Sequence, residues 1–64
     1  MTTYFNVVDG NTEKLVSQVS GAAAEAALDK ILELYTVEQI ADKVDRCEWD
    51  LITTDEMTSL TIYI

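Results

Sequence analysis

The 64-residue chain contains no histidine. Histidine is the usual general base and the commonest metal ligand, so its absence excludes histidine-based catalytic triads and metal sites. The sequence also has no zinc-type cysteine spacing and no glycine-rich phosphate loop. Beside its core, so short a chain leaves little room for a substrate pocket of about 300–1,000 Å³. We therefore expect a protein that binds a partner, with no enzymatic activity, cofactor or metal ion.

Cysteine, proline and glycine are scarce as well. Cys47 is the single cysteine, so no internal disulfide can form, and a reducing compartment such as the cytoplasm fits best. The chain has no proline and two glycines, which leaves no evident flexible linker. Neither a signal peptide nor an apolar run near membrane-spanning length is evident. These features predict one cytoplasmic domain over residues 1–64.

Basic residues number four against twelve acidic ones, and the formal net charge is −8. Nucleic acid and anionic membranes would repel such a chain, so we expect direct binding to neither. The same charge permits binding to a basic protein surface that normally holds nucleic acid. Negative charge also improves solubility without any recognition role, and this second interpretation stays open.

Residues 20–35 carry the clearest helical pattern, with apolar side chains at i, i+4, i+7 and i+11. The hydroxyl of Ser20 is predicted to cap the amino end of this helix. The four recurring residues are Ala24, Leu28, Ile31 and Tyr35, and Ala27, Leu32 and Leu34 are expected to widen the same face.

A second helix is predicted after Thr36, because Gln39 follows three residues later in the pattern of a capping box. The apolar register does not continue smoothly across Thr36, which favours two helices over one long one. The second apolar face comprises Val37, Ile40, Ala41 and Val44.

Four strands are predicted around these helices. Residues 2–8 and 12–19 would form a hairpin joined by a type I′ turn at Asp9-Gly10. Phe5 and Val7 would share one face of that hairpin and Tyr4 and Val8 the other, and the pattern does not decide which face the helices cover. Residues 48–53 and 59–64 would form two further strands. The predicted fold is α+β, in the order ββααββ, with an antiparallel sheet packed on one long and one shorter helix.

Nine acidic residues form three groups that we predict to bind a partner. The stripes on the two helices follow from helical spacing, and the third group surrounds the turn after residue 53. An ordinary solvated surface explains the same pattern and is kept as the alternative. The groups are Glu25, Asp29 and Glu33; Glu38, Asp42 and Asp45; and Asp50, Asp55 and Glu56.

Four short segments share a pattern with a known family: Met1 to Tyr4, Asp9-Gly10 with Thr12, Ala24 to Tyr35, and Glu48-Trp49. Together they resemble the immunoglobulin-binding domain of streptococcal protein G. The resemblance implies a ββαββ fold and binding to the Fc region through Asp29, Lys30 and Trp49. This chain departs from the family where Glu33 replaces a lysine and where extra residues occupy 36–45.

Length, acidity, the lone cysteine and the ββα opening resemble small phage-encoded inhibitors, including anti-CRISPR proteins. That resemblance implies carboxylates presented to a basic nucleic-acid channel. The resulting hypothesis is a small acidic inhibitor that occupies a basic, nucleic-acid-binding surface of its target, as a monomer or a homodimer. The alternatives are a protein-G-like module and a structural or oligomerisation domain that uses an exposed strand edge.

Overall fold

The computed structural model describes residues 2–64, so Met1, where the similarity to protein G begins, lies outside the described residues. The α+β class and the order ββααββ are confirmed. The elements are β1 (Thr2–Val8), β2 (Leu15–Ser20), α1 (Ala22–Leu34), α2 (Val37–Asp45), β3 (Trp49–Thr53) and β4 (Met57–Tyr63).

The four strands form one sheet in the order β2-β1-β4-β3. The two outer pairs are antiparallel, whereas the central strands β1 and β4 run parallel, with Phe5 opposite Leu60. The prediction of an entirely antiparallel sheet is therefore wrong at its centre. Parallel neighbours require a crossover connection, and α1 and α2 provide it by carrying the chain from one hairpin to the other.

Both helices lie on one face of the sheet, α1 over β1 and β2, and α2 over β3. Leu60 is 2% exposed, and it lines the same groove as Leu28 and Ile31 of α1. Phe5 lies level with Leu60 on the neighbouring parallel strand, so it points to the same side. The helices thus cover the Phe5 face of the first hairpin, which the sequence pattern left undecided. In the described part of the chain, the buried apolar residues are Ala24, Trp49 and Leu60.

The opposite face of the sheet is polar at its centre. The Asn6 amide donates to the hydroxyls of Ser59 (3.1 Å) and Thr61 (3.2 Å) on β4. Gln18 on β2 in turn donates to the Asn6 carbonyl oxygen at 2.8 Å. Side chains of three adjacent strands are thereby linked on the face that no helix covers.

The connection between β1 and β2 is a six-residue loop, and the predicted two-residue turn at Asp9-Gly10 is wrong. The Asp9 carboxylate accepts the Asn11 amide at 2.8 Å, and the Asp9 amide donates to the Lys14 carbonyl. The residue with positive φ is Glu13, at 59°. Gly10 instead donates its amide to the Ile64 carbonyl, which ties the loop to the end of the chain. Because these contacts hold residues 9–14 in a loop, the second strand begins at Leu15 and not at the predicted residue 12.

The helix starts differ from each other in how they are capped. The prediction that Ser20 caps α1 is wrong, because Ser20 is the last residue of β2. The cap position of α1 is Gly21, which has φ 64° and ψ −136° and no side-chain hydrogen bond. The capping box of α2 is confirmed. Gln39 donates its amide to the Thr36 hydroxyl (3.2 Å), and Thr36 donates its amide to the Gln39 side chain (2.8 Å). The break near Thr36 is confirmed with it.

The apolar faces of the helices are narrower than predicted. Ala27 is half-buried, but Leu32 is 63% exposed, Val37 is 79% exposed, and Leu34 is also exposed. Positions two residues apart on a helix point about 200° apart, so Leu32 and Leu34 flank α1 on opposite sides. Because α1 packs on β1 and β2 while α2 packs on β3, a groove remains between the two helices and the strands, and Leu32 borders that groove.

Candidate functional site: an acidic helical surface and its apolar groove

All nine acidic residues predicted to bind a partner are exposed. They lie in three places: the outer sides of α1 and α2, the strand β3, and the turn between β3 and β4. Glu25, Asp29 and Glu33 are on α1; Glu38, Asp42 and Asp45 are on α2; Asp50 is on β3; and Asp55 and Glu56 are in the turn.

The carboxylates of α1 form a stripe on the side of the helix away from the sheet. Glu25, Asp29 and Glu33 are spaced by four residues, which places them about 6 Å apart along the helix axis. Lys30 Nζ lies 3.8 Å from a Glu33 oxygen, and both side chains are largely exposed. An exposed pair of this kind contributes little stability, so it does not hold Glu33 away from a partner.

The carboxylates of α2 form a second stripe, at i, i+4 and i+7. Arg46 Nε lies 3.1 Å from Asp42 Oδ2, again between exposed side chains. Glu38 occupies the first turn, where the positive end of the helix dipole favours an acidic side chain. The charge of Glu38 thus stabilises the helix. Asp45 lies at the carboxyl end, where the helix dipole disfavours a negative charge.

Asp50 does not join the helical stripes. Trp49 and Leu51 point toward the helices, so Asp50 between them points to the opposite face of the sheet, level with Thr61. Asp55 and Glu56 lie at the end of the sheet, in the turn between β3 and β4. The structure therefore brings six of the nine residues onto the helical layer and separates the other three from it.

The four basic side chains neutralise little of the acidic charge. Within residues 2–64 the ion pairs are Lys30–Glu33 and Arg46–Asp42. Lys43 instead extends over the rings of Tyr35 and Trp49. Most of the twelve acidic residues thus keep their charge available at the surface of the described part of the chain.

An apolar groove opens beside the acidic stripe of α1. Its volume is about 180 Å³, and α1, α2, β3 and β4 all contribute to its walls. Asp29 follows the groove residue Leu28 directly in sequence, and the Asp55-Glu56 turn joins the groove residues Thr53 and Thr58. The remaining lining residues are Ile31, Leu32, Ile40, Leu51 and Leu60. Sequence analysis missed this groove because it predicted that Leu32 would be buried.

A second, open cleft of about 350 Å³ lies where β3 begins and β4 ends. Its size falls in the range of small-molecule sites, so the expectation that the chain lacks room for a pocket was too strict. Cys47, Asp50 and Tyr63 line it, but no hydrogen bond joins their side chains in the described structure. Within residues 2–64 no three acidic or thiol side chains come close enough to hold a metal ion. The cleft shows no arrangement that would activate a nucleophile.

The positions implied by the protein G resemblance are divided between surface and interior. Asp29 and Lys30 are exposed, but Trp49 is buried and packs edge-to-face on Tyr35, with ring centroids 5.1 Å apart. A buried Trp49 offers no contact surface to an Fc region. The structure therefore provides no specific support for that alternative.

None of the helices formed by residues 2–64 has the length and apolar character needed to cross a membrane. Comparisons with protein-family models, with curated proteins and with solved structures find no match to this chain.

Proposed function

We propose that this protein is a small acidic inhibitor that binds a basic, nucleic-acid-binding surface of a target protein in the cytoplasm. The observation that carries the proposal is the set of six exposed carboxylates on the outer sides of α1 and α2. Surfaces of opposite charge attract each other over distances of about 10 Å at 0.1 M salt. Such attraction speeds encounter and selects partners of the right sign.

The charge density of the helical layer sets how closely it imitates nucleic acid. The α1 stripe carries one charge per about 6 Å of helix, whereas one strand of B-DNA carries one per about 3.4 Å. The stripe is thus roughly half as dense as a single DNA strand. We infer that it engages a few basic side chains of the target and that binding weakens with salt less steeply than DNA binding to the same surface.

The groove offers an apolar binding surface, which the phosphate backbone of a nucleic acid lacks. Its walls are formed by Leu, Ile and Thr side chains, and its volume of about 180 Å³ is large enough to hold water. Entry of an apolar side chain from the same basic surface would release that water and bury the exposed part of Leu32. The acidic stripe would then provide attraction, and the groove would select protein targets over other polycations.

The experiment is a displacement assay with RNA-guided nucleases as the basic nucleic-acid-binding proteins. Fluorescent target DNA is bound to each nuclease, and release of the DNA is followed as this protein is added. Where the wild-type protein releases DNA, we expect the double variant Asp29→Lys with Glu38→Lys to require at least tenfold more protein. The control, Asp50→Lys with Glu13→Lys, makes the same change in net charge away from the helical layer.

Two results would contradict the proposal. One is equal displacement by the helical variant and the wild type, with circular dichroism showing both folded. The other is an equal loss in the control, which would mean that total charge, and not the helical surface, determines binding. If the wild-type protein releases DNA from none of the nucleases, RNA-guided nucleases are excluded as its targets.

A further inference from the structure

Within residues 2–64, the strand β2 forms one edge of the sheet and is hydrogen-bonded to β1 alone. All six of its residues are exposed. Leu15 and Val16 are 55% and 59% exposed, and Val19 is also exposed. The outer backbone amides and carbonyls of an edge strand are free to pair with another strand. This edge therefore combines unpaired backbone groups with three exposed apolar side chains.

The opposite edge, β3, is protected by charge. Asp50 lies within the strand, Glu48 precedes it, and Asp55 and Glu56 follow it. In a chain of net charge −8, two β3 edges would bring like charges together. Between Leu15 and Ser20 there is no charged residue and no proline, the two features that usually block edge pairing. The register shift between Val7 and Val8 leaves Val16 without a partner on β1, so the regular part of this edge runs from Ser17 to Ser20.

We propose that two copies of this chain associate through β2, pairing antiparallel about a two-fold axis so that the two sheets become one. A two-fold contact uses the same patch on both copies, and an uncharged, partly apolar strand is complementary to itself. Among residues 2–64, the buried apolar residues of each copy are Ala24, Trp49 and Leu60, so apolar surface buried between two copies would add stability to a small core. The acidic stripes point away from the sheet and stay accessible in such a dimer.

The size and charge of the contact define its strength. A typical stable interface buries about 800 Å² per partner, which is a large share of the 4583 Å² surface of one copy. A six-residue edge offers less than this, so we expect dissociation in the micromolar range. Repulsion between two strongly acidic copies is screened by salt, so salt should strengthen the dimer. Binding to a basic target should respond to salt in the opposite direction.

Sedimentation velocity of the full chain, from about 1 to 500 µM at low and moderate salt, tests the proposal. We expect a dimer fraction that rises with concentration and with salt. Val16→Lys should abolish it, although this change lowers the net negative charge and so reduces repulsion. The control, Ile52→Lys on the β3 edge, should leave the dimer intact. Because no target is involved, the result is independent of the proposed inhibitory function.

Amide hydrogen exchange of the wild type supplies a measurement that needs no variant. Residues 15–20 should exchange more slowly at high protein concentration than at low concentration, whereas residues 49–53 should not change. A monomer at every concentration and salt would overturn the proposal. So would a dimer that Ile52→Lys breaks and Val16→Lys does not, or slower exchange confined to β3.

Discussion

The Lys43 ammonium nitrogen lies 5.3 Å from the centroid of the Trp49 ring. The same nitrogen is 5.7 Å from the Tyr35 ring, and the two rings meet edge to face. A cation over an aromatic face contributes about 0.5–2 kcal/mol, depending on how far it is removed from water. Lys43 therefore joins the end of α1, the helix α2 and the start of β3, and its role is packing more than charge balance.

Replacing Lys43 tests this role. We expect Lys43→Ala to lower the free energy of unfolding by about 1–2 kcal/mol, because both the cation and the apolar stem are lost. Lys43→Met keeps much of the stem and should lose about half as much. Urea unfolding followed by far-ultraviolet circular dichroism provides the values, with Lys14→Ala as the control for loss of one positive charge. Identical stability of Lys43→Ala and Lys14→Ala would refute the packing role.

The cap of α2 contributes stability that the serine before α1 does not. Thr36→Ala removes the hydroxyl that accepts the Gln39 amide, and we expect a loss of about 1 kcal/mol. Ser20→Ala, in β2, should change stability by less than about 0.5 kcal/mol. Thermal and urea unfolding of the two variants compare them directly. Equal losses would mean that Ser20 caps α1 in solution.

Position 21 requires glycine because of its backbone conformation, and not because a larger side chain would clash with a neighbour. A Cβ at this position would meet nothing within 4 Å, but φ is 64° with ψ at −136°, a combination that L residues rarely adopt. We expect Gly21→Ala to cost about 1–3 kcal/mol. The 64-residue chain is accessible to chemical synthesis, and D-alanine at position 21 should be at least as stable as glycine. If both enantiomers destabilise equally, steric contact and not φ is the cause.

Burial separates two leucines that look alike in sequence. Leu60 is enclosed between the sheet and α1, so Leu60→Ala should cost about 2–5 kcal/mol and leave much of the chain unfolded at 25 °C. Leu32→Ala, on the exposed side of the groove, should cost less than about 1 kcal/mol. Circular dichroism at 25 °C distinguishes the two. A folded Leu60→Ala together with an unfolded Leu32→Ala would contradict the described packing.

Features that depend on near neighbours in sequence were predictable. The capping box at Thr36 and Gln39 needs only residues three apart, and the break between the helices follows from it. The alternation in the last strand likewise placed Leu60 and Ile62 on one face, as observed in the sheet register. The exposure of the six helical carboxylates followed from the same local periodicity.

Other features depend on how distant elements meet. The parallel pairing of β1 with β4 results from the path of the chain over the sheet, and no local pattern specifies it. The exposure of Leu32 and Val37, the groove beside β3 and the placement of Asp50 on the far face all follow from where α1 and α2 cross the strands. Sequence alone thus determined the elements and their outward charges, because helix and strand periodicity are local. Only the tertiary structure decided which apolar residues stay uncovered, because burial requires a second element to pack against.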